Sequence, residues 1–428
     1  MTMKYLLKTA LCLLLCALLS LPALAEEGEE LTCGDYTYVL LEDGGARITG
    51  YDGEDTELTV PAELDGHPVR EIGDSAFSWC FSLTTVTLPE GLASIGDDAF
   101  YYCDSLTAIS LPEGLTAIGD RAFYGCDSLT TVTLPDGLAS IGDDAFYYCF
   151  SLTTITLPDG LTAIGDCAFD GCSSLTTVTL PDGLTTIGDR AFDGCSSLTT
   201  VTLPDSLTTI GDHAFDDCDS LTTITLPEGL TTIGNDAFLG CSSLAKIDVS
   251  PDNPIFAQID GVLYEKATKT LVCYPAGKEG DSFAVPDGIL TIGDRAFSGC
   301  SSLTTVTLPE GLTSIGDSAF IGCDSLTTVT LPDSLTTIGD SAFSGCDSLT
   351  TITLPEGLTS IGDEAFSYCD ALTTITLPDS VTSIGVGAFS NCPSDLTLTV
   401  PRDSYACQYA IDNGLAYTYP DANDWLNA

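Results

Sequence analysis

Positive charge is scarce in this chain. Its 428 residues include 12 Lys and Arg against 62 Asp and Glu, a formal net charge of -50. Binding DNA or RNA needs Lys and Arg to neutralise phosphates, so nucleic acid is excluded as a partner. The same deficit argues against adhesion to anionic lipid. Histidine is nearly absent: His67 lies in a Gly-His-Pro turn, and His213 fills a slot taken elsewhere by Arg, Ser, Asp, Glu, Gly or Cys. No Ser/His/Asp or Cys/His constellation can be built from these two. No Cys-x-x-Cys occurs, which leaves zinc ribbons and redox motifs without support. Gly-rich phosphate loops are missing too, and the glycines of the recurring Ile-Gly-Asp belong to turns. Paired acids abound, but a repeated slot singles out no acid/base pair. The chain reads as a non-enzyme with no cofactor and no dedicated metal site. It has one long apolar run, Ala10 to Leu19. Lys4 and Lys8 precede that run and Pro22-Ala23-Leu24-Ala25 follows it, so Met1 to Ala25 reads as a cleaved secretory leader. The run is short for a membrane span. The expected location is secreted or at the cell surface, with no membrane span after cleavage.

What is present is repetition. Charged residues make up 17% and hydrophobic residues 44%, too apolar for a disordered acidic tail. The Ala-Phe pair serves as a ruler. Its Phe recurs every 23 residues from Phe77 to Phe238 and again from Phe297 to Phe389. The one irregular step, Phe238 to Phe297, is 59 residues. Such a period is the signature of a solenoid. A single unit runs Leu303-Thr-Thr-Val306-Thr-Leu308-Pro309-Glu-Gly-Leu312-Thr-Ser-Ile315-Gly316-Asp317-Ser-Ala319-Phe320-Ile-Gly-Cys323. Leu303, Val306 and Leu308 face inward from a short strand that Pro309 ends. Leu312 and Ile315 return to the core as a second extended piece. Gly316-Asp317 turns the chain, and Asp317 is placed to N-cap a short helix carrying Ala319, Phe320 and Cys323.

The pattern L-x-x-[VI]-x-[LVI]-P followed by [LV]-x-x-I-G-x-x-A-F-x-x-C resembles the BspA-like (Treponema pallidum-type) leucine-rich repeats. The resemblance covers nearly all of residues 34–419. It implies a leucine-rich-repeat solenoid, α/β to mainly β, and the strand-ending prolines from Pro61 to Pro401 count about fifteen stacked coils. Each coil would hold a short parallel strand, a second extended segment and a short helical turn. The implied divisions are a 1–25 leader, a 26–71 N-terminal capping unit and repeats over 72–241. An irregular repeat with a hairpin insertion follows over 242–286, then repeats over 287–393 and a C-terminal cap over 394–428. The family implies bacterial surface or secreted proteins, several linked to adhesion and extracellular protein binding, and it carries over no catalytic residue.

Two irregular zones are the candidate binding sites. The segment after the Ala-Phe pair is aromatic in the early coils, at Trp79, Phe81, Tyr101, Tyr102, Tyr124, Tyr147, Tyr148 and Phe150. Tyr101, Tyr124 and Tyr147 share one slot and should stack into a stripe able to hold sugars or a protein partner. The plain alternative is tyrosines packing on one another. The second zone is the insertion, where Lys246, Lys266, Lys269 and Lys278 gather on an otherwise acidic chain. It is either a docking element, for a partner or another copy, or a solvated hairpin that covers exposed core.

The regular ladders are less specific. Outward Thr-x-Thr pairs such as Thr131/Thr133 suit any exposed strand, and twist argues against a lattice match to ice. Carboxylate ladders such as Asp74, Asp97 and Asp120 lack a dedicated calcium loop. Of 19 cysteines, those from Cys80 to Cys392 at the ruler position form one core ladder. Parallel side-chain vectors disfavour disulfides there. The expected function is an adhesin-like scaffold that binds an extracellular protein or glycan. The second reading is a structural, self-associating surface component.

Overall fold

The structure is a computed structural model that describes residues 28–421. The expected leader, Met1 to Ala25, lies outside the described residues. The chain forms a parallel β-solenoid of about 16 turns of ~23 residues with little helix. The strand Ala416–Thr418 adds a turn beyond the strand-ending prolines that suggested fifteen.

Each coil has three sides. On the first, Thr131–Thr133 is a three-residue strand with Val132 buried between two exposed threonines. Val132 pairs with Ile109 of the coil before and Ile155 of the coil after. A constant period keeps this register from slipping, and nine strands from Glu57–Thr59 to Lys246–Val249 form one sheet. On the second side the strand is only two residues long, as at Ser140–Ile141, and pairs in parallel in the same way.

The third side, expected as a short helical turn, is a run of tight turns. Tyr124 N donates to Arg121 O at 3.1 Å and Cys126 N to Phe123 O at 3.2 Å. Arg121 (φ 54°) and Gly125 (φ 67°) are left-handed, which stops a helix from propagating. The amides of Arg121, Phe123 and Gly125 instead reach Asp143, Ala145 and Tyr147 of the next coil, each at 2.8 Å. The N-cap expected at Asp317 is corrected accordingly. Its Oδ1 accepts the amide of Asp340, one coil on, at 2.8 Å. The same bond recurs from Asp74 to Asp97 at 3.0 Å and from Asp189 to Asp212 at 2.8 Å. The carboxylate ladder is thus an axial strap between coils. The glycine before each Asp is needed for this approach: a Cβ at Gly119 would lie 2.4 Å from Asp97 Oδ1.

The core consists of columns. Phe320 and Phe343 stack at 5.1 Å and 2°, and the Phe ladder is otherwise alike. Beside it, Cys126 Sγ donates to Phe100 O of the preceding coil at 3.2 Å. The same carbonyl closes its own turn with Cys103 N at 3.2 Å. Every cysteine among the described residues is a free thiol. The ladder therefore packs as small apolar groups with a weak donor.

The insertion sits where the first sheet stops. Phe256–Ile259, Val262–Glu265 and Thr270–Cys273 form an antiparallel trio, and Thr270–Cys273 resumes the parallel stack against Thr291–Ile292. The strand Val262–Glu265 joins two cores: Leu263 packs with the N-terminal one, Val262 and Tyr264 with the C-terminal one. At the N-terminal end, Leu31–Cys33, Tyr36–Leu40 and Ala46–Tyr51 make an antiparallel meander. At the other end is the one helix among the described residues, Tyr405–Asp412. Ser404 caps it by accepting Cys407 N at 3.1 Å.

Candidate functional site

The aromatic residues meet on the third side. Tyr101 and Tyr124 stack at 5.0 Å, and Tyr124 and Tyr147 at 4.6 Å, as the shared slot requires. The slot after it brings Trp79 against Tyr102 at 4.8 Å and 9°. Tyr101 meets Tyr102 edge-on at 4.7 Å. Tyr148 links Tyr147 at 4.1 Å to Phe150 at 5.1 Å, and Trp79 touches Phe81 at 5.7 Å. All eight rings form one connected platform across four coils. The tyrosines pack on one another, and the outer rings of the platform are still open. Trp79 and Phe81 are each 53% exposed, Tyr148 39% and Phe150 41%. Burial, then neighbouring Tyr102 and Tyr101, push the Tyr124 phenol up to about 12, so it stays a neutral donor.

The slot of Trp79, Tyr102 and Tyr148 has a special backbone. These residues have φ of 64°, 52° and 57°. Glycine fills the slot in most coils, as at Gly125, Gly171 and Gly194. A bulky side chain there costs about 1–2 kcal/mol each. The glycines also make room for the platform. A Cβ at Gly125 would lie 2.8 Å from the Tyr102 ring, and one at Gly171 would lie 2.2 Å from the Tyr148 ring. Each ring lies flat across the glycine of the following coil. The sequence reading missed these seats, although the alternation of Tyr and Gly along the slot carried the signal. Tyr368 is a further aromatic in this slot, at φ 55° and 55% exposed, apart from the platform.

The lysines of the insertion are mostly engaged by the chain itself. Lys266 Nζ donates to Asn253 O at 2.5 Å, and Lys278 Nζ to Asp260 O at 2.7 Å. Lys246 pairs with Asp248 at 2.5 Å where the two replace the threonine pair. Lys269 occupies a left-handed turn position, φ 56°. The residue that organises this region, Asn253, was not foreseen. It is 1% exposed, donates to Pro227 O and Leu230 O, and accepts Ile255 N and Phe256 N. One side chain thereby ties the hairpin to the preceding coil. Asp236 and Arg295 occupy the same slot on either side of the insertion and form an ion pair across it. The cleft beside them, lined by Phe238, Tyr274 and Ala276, has a volume of about 60 Å³. That is room for a few waters and too little for a substrate.

The threonine face is regular. Thr131 and Thr133 are exposed, while the preceding Thr130 Oγ1 donates to Thr107 O at 3.1 Å. Among the described residues no helix is long and apolar enough to cross a membrane.

Comparison with known proteins adds to this geometry. The BspA type leucine rich repeat region matches residues 70–172, 139–259 and 276–395, in 6 copies. A leucine rich cell surface protein from Faecalibacterium prausnitzii is 35% identical with a TM-score of 0.71, covering 90% of this chain and 98% of that one. A leucine-rich repeat protein from Bacteroides ovatus is 28% identical with a TM-score of 0.62, covering 91% and 99%. The T. pallidum leucine rich repeat protein is 36% identical over 45% of this chain and 91% of its own, with a TM-score of 0.43. No curated protein matches.

Proposed function

Since the chain belongs to the BspA-type leucine-rich repeat family, we propose that it is an exported, non-catalytic scaffold that binds an extracellular protein or glycan through its aromatic platform. The observation that carries this reading is the set of rings held in left-handed positions. Trp79, Tyr102 and Tyr148 occupy a slot that glycine fills without strain; Trp79 and Tyr148 stay open and Tyr102 is half-buried. Strained aromatics on a rigid edge fit a binding role better than a packing role. The description of the F. prausnitzii relative as a cell surface protein supports a place outside the cell. The lysine-bearing hairpin is the secondary candidate, and its internal bonds favour the role of a joint between two cores.

The test uses a double variant, Tyr102→Gly with Tyr148→Gly. Glycine is the resident of this slot in other coils, so relief of strain offsets the lost stacking of about 0.5–1.5 kcal/mol per pair. The variant should melt within a few degrees of wild type. Binding of the purified chain to an array of extracellular-matrix proteins and glycans should show a saturable hit that the variant loses. A hit unchanged in the variant moves the site elsewhere. Absence of any hit, with oligomers growing with concentration in light scattering, would favour a self-associating structural component.

A further inference from the structure

The slot that carries Tyr101, Tyr124 and Tyr147 carries Asp170, Asp193 and Asp216 in the next three coils. The aromatic edge therefore runs directly into an acidic one, and Asp170 stands at the seam. Asp170 is 9% exposed. Among the described residues, no side-chain hydrogen bond or ion pair engages its carboxylate. Its successors are matched: Arg190 pairs with Asp193 at 2.9 Å and His213 with Asp216 at 2.8 Å. A buried carboxylate without a partner is costly to keep.

The surroundings of Asp170 are aromatic on one side. Tyr148 N donates to Asp170 O at 2.8 Å, and the Tyr148 ring covers Gly171, the next residue. The Tyr147 phenol is pushed up by its hydrogen bond to Tyr148, then by burial, then by the negative charge of Asp170. On the other side, burial first and the charge of Asp193 second push Asp170 up to about 7, against the pull of Arg190. A carboxylate and the faces of electron-rich rings attract the same kind of group, a cation.

We propose that this seam seats a lysine or arginine side chain from a basic segment of the extracellular partner, with the rest of the segment lying along the platform toward Trp79. The inference rests on the platform being the binding surface, and it selects a polypeptide over a glycan. A neutral sugar would use the rings and donate hydroxyls to the carboxylate but would bring no countercharge. The net charge of -50 draws a basic segment to the surface. The chain's own hairpin is a poor source of the cation, since Lys266 and Lys278 are held by Asn253 and Asp260.

The test is fluorescence anisotropy at physiological salt with three labelled probes. They are a Gly/Ser peptide carrying three lysines, its Nε-acetylated twin, and a neutral oligosaccharide. The chain is compared with Asp170→Asn and with the charge-matched Asp182→Asn, an exposed acid after Pro181. The lysine peptide should bind saturably, and acetylation or Asp170→Asn should weaken it about tenfold or more. Asp182→Asn should stay within about twofold. Equal weakening by the two Asn variants would reduce the effect to diffuse charge attraction and overturn the proposal. So would equal binding of the acetylated twin, preference for the oligosaccharide, or no binding of the lysine peptide. An array partner that is lost with Tyr102→Gly/Tyr148→Gly but kept by Asp170→Asn would overturn the cation seat and leave the platform standing.

Discussion

Asp170 also contributes to the expected pH dependence of stability. Its folded value is raised from 3.8 to about 7. Ionising it in the fold is therefore unfavourable, and the folded state binds its proton more tightly than the unfolded state. Stability should rise as pH falls from about 8 through 7 toward 4. Asp144, Asp193 and Asp216 are raised in the same direction, chiefly by burial. Thermal melts should show a higher Tm at pH 5.5 than at pH 8. In Asp170→Asn the difference should shrink, with the gain appearing at pH 8. A second residue makes a simpler case. The Tyr264 hydroxyl is buried with no hydrogen-bond partner. Tyr264→Phe removes an unsatisfied polar group and keeps the ring, so chemical denaturation should show a gain of about 1 kcal/mol. A loss would mean that the hydroxyl has a partner in solution. Neither residue was legible in the sequence as special. Asp170 shares its residue type with dozens of exposed acids, and only packing separates it from them.

At the scale of the element, the strands were legible and the turns were misread. Leu303, Val306 and Leu308 alternate as a strand must, and their places in the core follow from that alone. The helical turn was inferred from Asp317 followed by Ala319 and Phe320. The left-handed residue between them, Ser318 at φ 53°, carries no strong local signal, since the same slot holds Arg121, Cys167 and His213. What fixes it is the next coil, where Asp340 O accepts the Ser318 amide at 2.7 Å. The insertion is an element of a different kind, because it depends on one buried amide. Asn253→Ala would strip partners from Pro227 O, Leu230 O, Ile255 N and Phe256 N. The expected loss is about 2–4 kcal/mol. It should be concentrated at the joint, so that calorimetry shows one transition becoming two. A single unchanged transition would show that the hairpin is not what couples the halves.

For the whole molecule, the two cores meet at Val262–Glu265, with Leu263 on one side and Tyr264 on the other. The rod is accordingly two stacks sharing a strand, each stabilised by its nearest-neighbour contacts. Its acids, Asp170 apart, lie mostly outside, and many of them are spent as straps along the axis rather than as ligands for a partner. The solenoid, its period, the columns of Leu, Val, Phe and Cys, and the acidic surface all follow from the repeated unit. A unit repeated at fixed spacing has only one way to bury its apolar side, which is against its own copy. Packing between coils made some chemically ordinary residues exceptional. It bridged each Asp to the next coil and aimed each thiol at a carbonyl. It laid Tyr102 and Tyr148 across glycines, and it left Asp170 buried and unmatched where the aromatic edge ends. Those outcomes depend on what the adjacent coil places opposite each side chain, and a one-dimensional pattern does not contain that information.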